Sequence, residues 1–171
     1  MKTNIKNVEF VNLAKSGSTI NYIAEQADTI TQIENDVTVV MYGSVDARIR
    51  PDTEKNRFYL WSLTPKHYRS PGMMDPRPFY SKNKIKKAMP IVDNFIRSII
   101  CHLMFLTQGK CQWCPKEQFA EKYIVTLTKM RQNISNIVLI TPVYIDERIY
   151  GKENVIQYAE YTNIVKNIAE K

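Results

Sequence analysis

Apolar and polar positions change period several times along the chain, and each change marks an element. Val8-Glu9-Phe10-Val11-Asn12-Leu13 alternates apolar and polar residues, which predicts a strand over 8–13. The turn Lys15-Ser16-Gly17-Ser18-Thr19 follows, with Ser18 or Thr19 placed to cap a helix. Ile20, Ile23, Ala24, Ala27 and Ile30 then recur at helical spacing, so an amphipathic helix is expected over about 20–33. Val37-Thr38-Val39-Val40-Met41-Tyr42, ending at Gly43, is the nearly continuous apolar run of a strand buried on both faces. Strand, helix, strand in this order predicts a βαβ unit with a parallel sheet and a right-handed crossover.

Beyond Gly43 charge rises, and Pro51, Pro65, Pro71, Pro76 and Pro78 interrupt any long element over 44–84. A short helix is expected over 53–62. A longer one is expected from Lys84 to Leu106, with Pro90 kinking it or marking its true start. Pro115 suits the first turn of a further helix, whose stripe is Phe119, Tyr123, Leu127 and Met130. Asn136 to Pro142 reads as another buried strand, and Lys152 to Ala169 as a last helix. No internal repeat, low-complexity tract or second domain is visible, so residues 1–171 are read as one α/β domain.

Charge changes this picture in one place. Between Arg48 and Lys87 eleven cations face only Asp52, Glu54 and Asp75, a local excess of +8 in a chain of net charge +7. Such a surface attracts phosphate, acidic polysaccharide, nucleic acid or anionic lipid, or serves as a solvated face that aids solubility. No nucleic-acid-binding motif accompanies it. The start of the chain lacks the apolar core of a signal peptide. Pro90, Asp93, Arg97 and His102 interrupt the apolar stretch from Ala88 to Leu106, which argues against a membrane span. Three cysteines, an odd number, fit a reducing compartment, and a cytoplasmic protein is expected.

In a parallel α/β sheet, ligands bind beyond the carboxyl ends of the strands. Three segments fall there: Lys15–Thr19, Gly43–Pro51 and Thr141–Glu147. The first offers backbone N–H groups at a helix start, suited to an anion or a developing oxyanion, or is a plain strand-to-helix turn. The second joins a glycine to Asp46, Arg48 and Arg50. Asp46 is expected to accept hydrogen bonds from loop N–H groups rather than act as an acid or base. Ser16, Ser18 and Ser44 have no base in sequence view, and capping or turn roles explain them. Cys111-Gln112-Trp113-Cys114 is a lone C-x-x-C without partners at zinc spacing, so it reads as two loop thiols, with a redox disulfide as the alternative.

Taken together these segments resemble the SGNH/GDSL hydrolase family. Val11 to Thr19 is similar to that family's second block, and the resemblance makes Gly17 the oxyanion-hole glycine. Val39-Val40-Met41-Tyr42-Gly43-Ser44-Val45-Asp46 resembles the third block, G-x-N-D. Here Val45 stands where the family's asparagine does, and Val45-Asp46 with Arg50-Pro51 is similar to a variant of that block. Val138 to Pro142 with Asp146 and Glu147 resembles the family's later strand and its exit loop. The resemblance covers residues 8–50 and 134–170, with 52–133 as a helical basic insertion. It implies a three-layer flavodoxin-like parallel sheet and a serine ester hydrolase acting on carbohydrate acyl esters, without a cofactor or metal.

The departures bear on chemistry. The G-D-S block that carries the nucleophile and the D-x-x-H block that carries the base are both absent, and His67 and His102 do not stand at D-x-x-H spacing. Without nucleophile and base no acyl-enzyme forms by the family's route. The expectation is therefore a truncated SGNH-type domain, inactive as given, with Gly17, Gly43, Asp46 and Arg50 as oxyanion-type or ligand-binding residues. A completing segment or second chain would fill the slot of the first strand. The alternative is a non-catalytic module that binds an anionic polysaccharide or phosphate.

Overall fold

The computed structural model describes residues 9–52 and 84–170. Along the chain these form α1 (Ile20–Thr31), β1 (Thr38–Met41), β2 (Arg50–Pro51), α2 (Lys84–Gln108), β3 (Lys110–Cys111), α3 (Lys116–Met130), β4 (Ile137–Ile140), α4 (Glu147–Tyr150) and α5 (Lys152–Ala169). The protein is thus mixed α/β and mostly helical. Its main sheet is a parallel pair, β1 beside β4, with Val39 opposite Val138 and Val40 opposite Leu139. A second, very short pair joins β2 and β3 antiparallel, Arg50 opposite Cys111.

The helices expected from periodicity form where the pattern places them. α1 buries Ile20, Ile23, Ala27 and Ile30, and α3 buries Phe119, Tyr123, Leu127 and Met130. α5 covers Lys152–Ala169, inward at Tyr158, Tyr161, Val165 and Ile168. The spacing of Val155, Ala159, Thr162, Val165 and Ala169 predicts another inward face, of which only Val165 is buried, and the tyrosine rings of Tyr158 and Tyr161 fill the core instead. α2 runs on through Pro90, which lies inside the helix and removes one of its backbone hydrogen bonds. The expected helix over 53–62 lies outside the described residues.

The expected strand over 8–13 does not form in its described part. Residues 9–14 have no regular structure, and Phe10 is 82% exposed. An alternating pattern makes a strand only where a neighbour accepts its ladder, and no described strand lies beside this segment. The expected βαβ unit therefore lacks its first strand, and the parallel pair that does form joins β1 to β4 instead.

All three long core helices pack on one face of the β1–β4 pair. Val40, Ile137 and Leu139 share a core with Ile23 of α1, Phe119 and Tyr123 of α3, and Tyr161 and Val165 of α5. Residues 116–133, placed in the expected insertion, thereby belong to this core. The opposite face carries Val39, Met41, Val138 and Ile140, all exposed. Parallel sheets normally bury both faces, so this bare apolar face is the chief departure from a finished domain.

The asymmetry has a direct consequence for stability. Phe119→Ala, within the covered face, is expected to cost about 3–5 kcal/mol. Val138→Ala, on the bare face, is expected to cost about 0.5 kcal/mol or less. Urea unfolding of the two variants checks this, and comparable losses would mean that both faces are packed.

Candidate functional site

The three segments expected beyond the strand ends do converge. β1 runs into Gly43, whose φ of +113° is a backbone conformation that side chains resist. A Cβ there would also stand 2.9 Å from Pro142 Cγ and 3.1 Å from Phe119 Cζ, so only glycine lets the exit of β4 and the core ring approach this closely. The Ala47 N–H donates to the Gly43 carbonyl at 2.8 Å, which turns the chain back and buries Asp46 completely.

Asp46 reaches the start of α1. The Ile20 N–H donates to its two carboxylate oxygens at 3.0 and 3.3 Å. Thr19, at the N-cap position, makes no side-chain cap, and the Ser18 hydroxyl turns back to the Lys15 carbonyl at 2.7 Å. The capping expected of Ser18 or Thr19 is thus performed by a residue 26 positions away, whose negative charge also complements the helix dipole. Burial pushes the Asp46 carboxyl up to about 6 from an ordinary 3.8, while the Ile20 N–H, loop amides and nearby Lys122 pull the other way. Lys122 is itself held by Asn21, at 2.6 Å.

Gly17 lies on the exposed side of the same turn, at φ +74° with open space where a Cβ would go. The Tyr42 phenol joins this group through a hydrogen bond with Ser18, and burial raises its pKa. Ser44 is fixed from below, its carbonyl accepting from the Tyr158 hydroxyl at 2.5 Å. Its own hydroxyl is buried without a partner among the described residues. Gly17, Gly43 and Asp46 are therefore brought together at the carboxyl end of β1.

Arg50 is not part of that group. It lies in β2, its guanidinium 3.6 Å from the centre of the Trp113 ring, in a cation–π stack that joins the β2–β3 pair to the loop before α3. The sequence offered no hint of this pairing, because residues 50 and 113 are brought together by a two-residue ladder too short to show periodicity. Asp146, the candidate of the third segment, caps α4 and holds Arg148 at 2.5 Å. Those bonds to Arg148 bring its carboxyl down to about 2.

The two C-x-x-C thiols are not joined in a disulfide, and the Cys111 thiol donates to the Pro51 carbonyl at 3.7 Å. Cys114 is buried, and burial, reinforced by the Asp46 charge, pushes its pKa up, opposite to what a reactive thiol at a helix start needs. Its carbonyl accepts from the Tyr161 hydroxyl, which ties the loop before α3 to α5. Among the described residues no three His, Cys, Asp or Glu side chains gather to hold a metal. His102 lies exposed on α2, and His67 lies outside the described residues. The convergent loops thus hold a glycine turn and buried polar groups, and His102, the one imidazole among the described residues, lies on α2.

Compared with family profiles, with curated proteins and with solved structures, the chain matches none of them.

The buried carboxyl sets a pH dependence. Its pKa is higher folded than unfolded, so the folded state holds the proton more tightly. The contribution of Asp46 to stability is full below about pH 4, falls as pH rises toward 6, and is lost above that. Asp46→Asn keeps an acceptor for the Ile20 N–H and does not titrate. The stability of the wild type relative to this variant is expected to fall by about 3 kcal/mol between acid and neutral pH. Chemical unfolding of both proteins across that range checks it, and a constant difference would refute the buried-acid assignment.

Proposed function

We propose that this chain is the scaffold part of an SGNH-like carbohydrate acyl-ester hydrolase domain, catalytically silent by itself, in which Gly17 marks the oxyanion turn. The observation that carries the reading is the bare apolar face of the β1–β4 pair. Core helices before, between and after two parallel strands, all on one face, fit right-handed crossovers that step in one direction across the sheet. A doubly wound domain covers the opposite face with helices that belong to its remaining strands.

Among the described residues β1 pairs only with β4, so its other edge is open. A parallel strand added there would end beside Gly43, Asp46 and the Gly17 turn, where the family's first strand presents its serine. The groups already in place position loops rather than perform chemistry. Asp46 is consumed at the start of α1, and no base stands near Ser18 or Ser44 among the described residues. The acylated sugar is the substrate class that the resemblance implies for a completed site.

Against the alternative, a module binding phosphate or an anionic polysaccharide at the Lys15–Thr19 turn, stands the same carboxylate. It already accepts from the first N–H of α1 and opposes a second anion there.

Two measurements test the proposal. Hydrolysis of 4-nitrophenyl acetate and of an acetylated sugar by the chain is expected to equal that of Gly17→Ala. Turnover abolished by Ser18→Ala or Ser44→Ala would instead make the chain a self-sufficient enzyme and sink the scaffold reading. Hydrogen exchange of the β1 amides that point away from β4 is expected to be fast, and strong protection would show that this edge needs no completing strand.

A further inference from the structure

α2 is built the wrong way round for a helix on the surface of a soluble domain. Its inward stripe includes Asp93, Arg97, Cys101, Met104 and Gln108, which recur at intervals of three and four. Arg97 is 3% exposed and holds Asp93 four residues back at 2.6 Å, so the internal ion pair faces the protein. The opposite face presents Met89, Val92, Phe95, Ile99, Leu103 and Leu106. Met89, Phe95 and Leu106 are 77%, 66% and 71% exposed. These six positions fall within one third of the helix circumference. Within Ala88–Gln108 an 18-residue window reaches a mean hydropathy of 1.4, which by length and composition also suffices to cross a membrane.

The chain before this face supplies the complementary signal. Between Asp75 and Asp93 there is no acid, and Arg77, Lys82, Lys84, Lys86 and Lys87 are all cationic. Three of these lysines, Lys84, Lys86 and Lys87, belong to α2. An anionic surface attracts this basic run, and an apolar layer beneath it takes up the outward face.

We propose that α2 docks in the plane of an anionic lipid membrane, its lysine-rich start among the headgroups and its Met89–Leu106 face in the acyl boundary. In-plane docking fits better than spanning for two reasons. The inward stripe is buried against the protein at Arg97, Met104 and Gln108, and the helix passes at Gly109 into β3, which is paired with β2. This rests on the helix alone and does not depend on the hydrolase-like reading.

The test is co-sedimentation of the full chain with vesicles of phosphatidylcholine alone or mixed with phosphatidylserine. Binding to the mixed vesicles is expected, weakening as salt rises. Phe95→Glu with Leu103→Glu is expected to reduce it at least about tenfold, as is Phe95→Ser with Leu103→Ser, which adds no charge. Lys84→Glu, Lys86→Glu and Lys87→Glu together are expected to remove the preference for anionic vesicles. Matched circular-dichroism melts establish that each variant is folded. Failure to bind the mixed vesicles, or binding that survives both double substitutions, overturns the proposal. So does a stable dimer that the same double substitutions dissociate, because α2 would then be covered by a second copy.

Discussion

A parallel strand pair leaves two faces and two outer edges to be satisfied, and here helices satisfy one face only. Val40, Ile137 and Leu139 meet α1, α3 and α5, while Val39, Met41, Val138 and Ile140 meet nothing comparable. The rest of the arrangement follows from this one-sided cover. Helix–helix packing, α1 against α3 above all, carries much of the core, with Phe119 set against both Tyr123 and Tyr161. The strands are short because only their inward residues contribute burial. The described segment before α1 is irregular and pairs with neither strand of the sheet.

The same constraint shapes the candidate site. Loops at the carboxyl ends of parallel strands are where α/β proteins place their ligands, and this chain keeps the loops in order. Gly43 lets the β1 exit approach Pro142, and Asp46 fastens that exit to α1 across the sheet end. Each is a positioning device. The carboxyl group buried at the start of α1 both holds the turn beside Gly17 and occupies it, so ordered loops coexist there with no histidine at the turn among the described residues. The bare sheet face and the outward face of α2 are separate surfaces with separate needs. One is a sheet face that no described helix covers, and the other is a helix whose apolar side is exposed.

Much of the fold was legible in the chain. The helices at 20–31, 84–108, 116–130 and 152–169 and the strands at 38–41 and 137–140 appear close to where their periodicity places them. Apolar spacing reports which side of an element faces a core, and that information is local. The place of Gly43 and Asp46 was also readable, because a strand followed by a glycine turn puts such residues at one end of a parallel sheet, whereas the Gly17 turn is brought there by the bond from Ile20 to Asp46. The strand at 8–13 was misread for an equally physical reason, since alternation specifies a face while a partner edge is a property of other segments. Arg50 was misplaced because its stack on Trp113 depends on a two-residue ladder formed across 60 positions.

The sequence by itself determined the order of elements, the buried stripes of α1 and α3 and the basic run before α2. It also determined the absence of a G-D-S and a D-x-x-H block, since all of these are read from residue identity and spacing. Tertiary structure alone decided that Asp46 caps a helix 26 residues away, that Arg97 turns inward while Phe95 turns out, and that one sheet face stays bare. Each of those depends on which surfaces meet. Periodicity gives a helix or strand an apolar side, and only the assembled chain decides whether anything covers it.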